Sequence, residues 1–178
     1  MSDYQKYPVA MRIMHWLMAV GILGLIASGW FMAGLDKSVS YKYDIYFWHK
    51  SFGVLALFAV VLRLALRLFS TIPRLPETMA SLEKMLAQQA HFLLYLLMFA
   101  VPVSGYLMSD IGGHDVPFFN LVTMPDLFTT NKDLAGQLWQ IHTTIPYILL
   151  GIIVLHFIGA LKHRFFDKPE NDVLKRML

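Results

Sequence analysis

Four stretches of this 178-residue chain are each long and apolar enough to cross a lipid bilayer, and no other feature restricts its fold as tightly. Residues 13–35, 86–108 and 138–161 contain no Asp, Glu, Lys or Arg at all. Residues 45–69 contain Lys50, Arg63 and Arg67, but 51–62 is an unbroken uncharged run. All four stretches exceed the ~20 residues that a helix needs to traverse ~30 Å of hydrocarbon. A helix is also the one single-segment structure that satisfies its own backbone in lipid. Pro102 and Pro146 fall inside the third and fourth stretches, where local kinks are expected. Hydrophobic residues make up 57% of the chain and charged residues 15%, against about 25% charged in soluble domains. A soluble monomer would expose too much apolar surface and a disordered chain would hold far less of it, so both classes are excluded.

The reading is therefore an all-α, integral membrane four-helix bundle forming a single domain over 1–178, with spans near 13–35, 45–69, 86–108 and 138–161. The links are polar and rich in turn residues. The longest, 109–137, holds Gly112-Gly113, Pro117 and Pro125 and is expected to cap one face of the bundle. Of the 15 Lys and Arg, only Lys37, Lys42, Lys50 and Lys132 fall on one side, leaving eleven on the side of both termini. The positive-inside rule then puts both termini in the cytoplasm of a multi-pass protein. It also accounts for the net charge of +3 without any nucleic-acid partner. The first apolar run is long for a cleavable signal and carries a histidine used below, so it is expected to be retained.

Ionisable side chains at membrane depth are costly, and by default they mark function. His15 opens the first span, His49 the second and His142 the fourth, and His156 lies 14 residues beyond His142. Fourteen residues make about 3.9 helical turns and ~21 Å of rise, so His142 and His156 share a face near opposite membrane surfaces. His142 is then level with His49, and His156 with His15. Two stacked cross-bundle pairs are what two bis-histidine haems require. With no cysteine in the chain, thioether-attached haem, iron–sulfur clusters and disulfides are excluded. A single histidine at a helix end is more often an interfacial residue; four at matched depths reverse that expectation. A haem-free transporter with a histidine-lined path is the competing reading.

Arg63 lies 14 residues after His49 and so shares its face at the inner depth, where a guanidinium suits a haem propionate. Snorkelling at the helix end is the commoner role for Arg63 and Arg67 alike. His91 begins the third span; a propionate contact, a quinone contact and a plain interfacial position all suit it. His163 follows His156 by seven residues, between Lys162 and Arg164, and is either a basic helix end or a quinone or proton site. His114, after two glycines in the long link, is expected in solvent.

Met14-His15-Trp16, His49, Ala90-His91-Phe92-Leu93-Leu94-Tyr95-Leu96-Leu97, Leu121-Val122-Thr123-Met124-Pro125 and Trp139-Gln140-Ile141-His142, with His156 and His163, together resemble the bacterial cytochrome b561 family. The resemblance covers essentially the whole chain. It implies two non-covalent haem b groups, with His15 and His156 as the cytoplasmic ligands and His49 and His142 as the outer ones. It also implies a bacterial inner-membrane oxidoreductase that passes single electrons between a periplasmic donor and ubiquinone, with the quinone close to His163. A family member takes those electrons from superoxide. Against an anion donor, the outer side carries four Lys and six Asp, although Lys37, Lys42 and Lys50 form a local positive patch. Relatives that anchor a partner dehydrogenase tend to carry an additional span. Four spans favour the stand-alone form, with a docked redox partner protein as the alternative.

Overall fold

A computed structural model describes residues 5–178. It contains four long helices: α1 (Val9–Gly34), α2 (Lys42–Phe69), α3 (Ser81–Ile111) and α4 (Lys132–Phe165). All four are long and apolar enough to cross a membrane. All four begin ahead of the apolar run that announced them, and α3 and α4 also continue past its end, because a helix does not stop where hydrocarbon does. At 34 residues, α4 spans about 51 Å, well beyond the ~30 Å apolar layer. Its polar first turn is a built start. The Asn131 side chain accepts the Leu134 N–H at 3.0 Å, and Asp133 sits where the helix dipole favours an anion. Lys162 and Arg164 complement the opposite pole in the last turn. Pro102 and Pro146 lie inside α3 and α4, and both helices continue through them.

Consecutive helices run antiparallel. At the near end, where α1 begins and α4 finishes, Arg63 of α2 reaches the Met11 carbonyl of α1, and Lys162 of α4 meets Glu83 of α3. At the far end, Ser28 of α1 meets His49 of α2. Backbones approach extensively between α3 and α4, α1 and α2, and α2 and α3, and scarcely between α4 and either α1 or α2. The core is small and lies at mid-height. Ile26, Leu94 and Leu149 come from three helices, with Ile22, Met98, Val101 and Ile153 packed against them. Most other apolar side chains face outward, as a lipid-facing surface requires: Leu17, Val20 and Leu155 are each more than 60% exposed.

The link between α3 and α4 folds onto the far end. Its two-stranded antiparallel hairpin, β1 (Pro117–Phe118) and β2 (Val122–Thr123), is anchored by the fully buried Ser51. The Ser51 hydroxyl donates to the Pro117 carbonyl and accepts the Phe119 N–H at 2.9 Å. Asp110 accepts the Leu127 and Phe128 N–H groups, and the Tyr106 hydroxyl donates to the Pro125 carbonyl. The segment after α4 folds back across the near end in two short 3-10 turns, Pro169–Asn171 and Leu174–Met177. Thr78 donates to Asn171 at 2.7 Å, Arg164 pairs with Asp172, and the Trp16 indole N–H donates to the Met177 carbonyl at 3.0 Å.

Candidate functional site

The four span histidines meet in two pairs across the bundle. At the near end, the His15 and His156 rings lie 6.3 Å apart between centroids, with planes crossed at 71°. At the far end, His49 and His142 lie 6.2 Å apart, crossed at 80°. In both pairs α4 faces one of the helices whose backbones it scarcely approaches. Space for a flat group between the rings is therefore built into the helix arrangement.

Hydrogen bonds at Nδ1 fix the far-end rings. The Val101 carbonyl accepts from His142 at 3.0 Å, and the Ser104 hydroxyl lies 3.2 Å from the same nitrogen. Ser28 lies 3.0 Å from His49 Nδ1. With Nδ1 engaged, Nε2 of each ring is the nitrogen left for a metal. Two glycines give these rings room. An added Cβ at Gly105 would stand 2.7 Å from His142 Cε1, and one at Gly29 would stand 3.3 Å from His49 Cε1.

The near-end pair has different company. Arg63 turns inward instead of snorkelling, with one guanidinium nitrogen 3.2 Å from His15 Nδ1 and another donating to the Met11 carbonyl at 3.1 Å. Arg67 leans over the Tyr95 ring at 5.9 Å. The Tyr95 hydroxyl itself is buried with no partner among the described residues. His91 packs edge-on to His156 at 5.3 Å, so the near end holds three neighbouring imidazoles where the spacing had suggested two.

Haem fits these residues. Two imidazole nitrogens at about 2.0 Å from one iron, each about 1.1 Å from its own ring centre, put the centroids roughly 6.2 Å apart. Both pairs stand at that separation. The inward guanidinium of Arg63 and the orphaned Tyr95 hydroxyl are the donors that a propionate-bearing group would use.

His163 sits one level beyond the near-end pair, with its side chain only 11% exposed, and is not a solvated basic end. Its Nδ1–H donates to Asp167 Oδ2 at 2.8 Å, which leaves Nε2 as the acceptor nitrogen. The Lys168 N–H, His163, Asn171 and Lys162 all donate to Asp167, and together they hold its carboxyl below the usual carboxylate range. Glu83, His163 and Asp167 are close enough to share a metal ion, but the Lys162 ammonium bridges the two carboxylates at 2.6 and 3.2 Å. His114 is exposed, as expected. On the far end, Lys50 donates to the Asp115 carbonyl at 2.8 Å and Lys42 to the Leu35 carbonyl.

Gly29, Gly105, Ser28, Ser104, Tyr95 and Asp167 did not emerge from the sequence as site residues. Of these, only Asp167 left a readable trace, four residues after His163 and just past the end of its helix. The others act across helix pairs whose rotation the sequence does not give.

The profile of the family described as prokaryotic cytochrome b561 matches residues 6–178. Among curated relatives, the chain is 32% identical to "Cytochrome b561 homolog 2" of Escherichia coli (strain K12) over 98% of its own length and 92% of the relative's. It is 28% identical to "Probable superoxide oxidase CybB" of Yersinia pestis over 98% and 97%.

Proposed function

The chain belongs to the prokaryotic cytochrome b561 family, and on that premise we propose that it carries single electrons across the bacterial inner membrane through two haem b groups stacked between α4 and its neighbours. The chain is a multi-pass bacterial membrane protein of haem b electron transfer. The observation that carries the two-haem proposal is the pair of histidine couples with centroids 6.3 and 6.2 Å apart.

In this reading His15 and His156 hold one haem and His49 and His142 the other. Each haem supplies a one-electron iron couple when bound. A histidine pair committed to each haem would suit that haem to electron transfer. Val101, Ser104 and Ser28 fix the far-end rings through Nδ1, which leaves Nε2 of each as the nitrogen that would hold a haem. Arg63 and Arg67 place positive charge at the near-end level and favour propionates there.

The count of Lys and Arg supports a cytoplasmic near end and a periplasmic far end. Ubiquinone reduction then belongs at the near end, beside His163 and His91. The Asp167 carboxylate holds the His163 proton at Nδ1, so Nε2 can accept a proton from water and pass it on to a reduced quinone oxygen. The donor acts at the far end. Superoxide is the donor favoured by the likeness to a probable superoxide oxidase, and Lys50, next to His49, supplies local positive charge.

The deciding experiment is purification in detergent, with oxidised and dithionite-reduced spectra and a haem-to-protein ratio. Two low-spin b haems per chain are expected. One haem would remove one pair from the assignment, and none would remove the proposal. His→Ala at each of the four positions should lower haem content; four variants with full content would refute the ligand set.

A further inference from the structure

We propose that the near end of α1 is a binding site for an anionic phospholipid, with the phosphate on Arg12 and one acyl chain lying along the helix toward Val20. An open groove of about 570 Å³ runs along this face, lined by Trp16, Leu17 and Val20 and, at its near end, by Met177 and Leu178. Arg12 is the sole ionisable side chain in its lining. Its Nε is buried without an acceptor, and among the described residues its guanidinium meets no carboxylate. Three other basic side chains of the near end are engaged within the protein: Arg63 by Met11 and His15, Arg164 by Asp172 and Lys162 by Glu83 and Asp167. Arg12 is thus a cation with a desolvated edge and no carboxylate partner among the described residues.

Length and chemistry together select the occupant. From Arg12 to Val20 the helix rises about 12 Å, most of the ~15 Å depth of one leaflet's hydrocarbon. A planar guanidinium at the interface end matches a phosphate bidentately. Basic pockets beside transmembrane helices on the cytoplasmic side are suited to anionic headgroups. A free phosphate would satisfy Arg12 and leave the apolar length unfilled. An isoprenoid tail would fill the length and leave Arg12 unsatisfied. The Trp16–Met177 hydrogen bond holds the wall in place, so the site is part of the fold. Trp16 also packs edge-on to His15 at 5.1 Å, which sets the lipid one residue away from the near-end pair. The inference does not depend on what that pair binds.

The test is native mass spectrometry of the delipidated protein mixed with equal phosphatidylglycerol and phosphatidylcholine, with size exclusion reporting folding. Phosphatidylglycerol should be retained about tenfold over phosphatidylcholine. Arg12→Gln should remove that preference, Arg12→Lys should keep most of it, and Leu17→Trp, which fills the apolar length, should weaken phosphatidylglycerol retention. Equal retention of the two lipids by the wild type would overturn the proposal, as would undiminished phosphatidylglycerol binding by Arg12→Gln. If Arg12→Gln fails to fold, Leu17→Trp decides: full retention there refutes the acyl-chain path. Displacement of the lipid by excess inorganic phosphate alone would reassign Arg12 to a free anion and overturn the lipid site.

Discussion

Alanine at Gly105 sets two ordinary effects against each other, and the structure says which wins. Inside a helix, Gly→Ala normally gains about 0.5–1 kcal/mol through backbone entropy. At Gly105 the new methyl would stand 2.7 Å from His142 Cε1, 3.0 Å from Nδ1 and 3.2 Å from Nε2. The ring must retreat about 0.8 Å to reach ordinary contact distance. It is not a free side chain, because Val101 and Ser104 hold its Nδ1. Overpacking of this kind costs about 1–3 kcal/mol, which outweighs the helical gain and corresponds to roughly 5- to 150-fold in affinity at the far-end pair. Gly105→Ala should therefore fold yet lose or weaken one haem of two, read by haem-to-protein ratio and by a potentiometric titration that loses one component. Gly29→Ala, with its nearest ring atom at 3.3 Å, should show a small shift. Gly24→Ala and Gly151→Ala, with nothing within 4 Å, should be neutral or stabilising. A Gly105→Ala protein with two haems and unchanged potentials would refute the claim that this glycine makes room for His142.

Three further outcomes are expected. Leu149→Ala, at a side chain only 2% exposed in the mid-height core, should cost about 2–5 kcal/mol in detergent unfolding; no change would mean the core is not where the bundle's stability lies. Asp167 has its carboxyl pKa depressed by folding, so its contribution to stability is present above its unfolded value of about 3.9 and is lost as pH falls below it. The stability difference between wild type and Asp167→Asn should accordingly be largest near neutrality and shrink below about pH 4, and a difference that grows on acidification would reverse the assignment. The ring planes cross at 71° and 80°, an arrangement that would bring the two dπ orbitals of a haem iron held by each pair close in energy. Both haems should then give strongly anisotropic low-spin electron paramagnetic resonance signals, and spectra typical of parallel imidazoles would contradict the crossed geometry.

The spans were legible because the bilayer imposes a length on any apolar helix, and the 14-residue interval from His142 to His156 was legible because a helix repeats its face at that interval. The helix ends were not. α4 begins at Lys132, ahead of its apolar run, since Asn131 and Asp133 start it by capping and dipole chemistry. Arg63 reads from sequence as a snorkelling anchor as easily as a site residue. Its inward turn depends on α1 lying within reach of α2, and on the Met11 carbonyl being there to accept. Gly105 is invisible for the same reason: a helical glycine has no evident purpose until the helix opposite it carries His142 at that height.

The apolar block of Ile26, Leu94 and Leu149 decides what kind of current the proposed carrier can conduct. Leu149 stands seven residues from both His142 and His156, midway along an interval of ~21 Å. These side chains contain no atom that can hand on a proton, whereas an electron can tunnel through them. Charge would then cross uncompensated, as in a wire set through an insulating plate. With the two levels separated by roughly two-thirds of the hydrocarbon, each electron works with or against about 1.6 kcal/mol per 100 mV of membrane voltage. The membrane's own state of charge therefore becomes a throttle on turnover, and a polar residue at position 149 would short it.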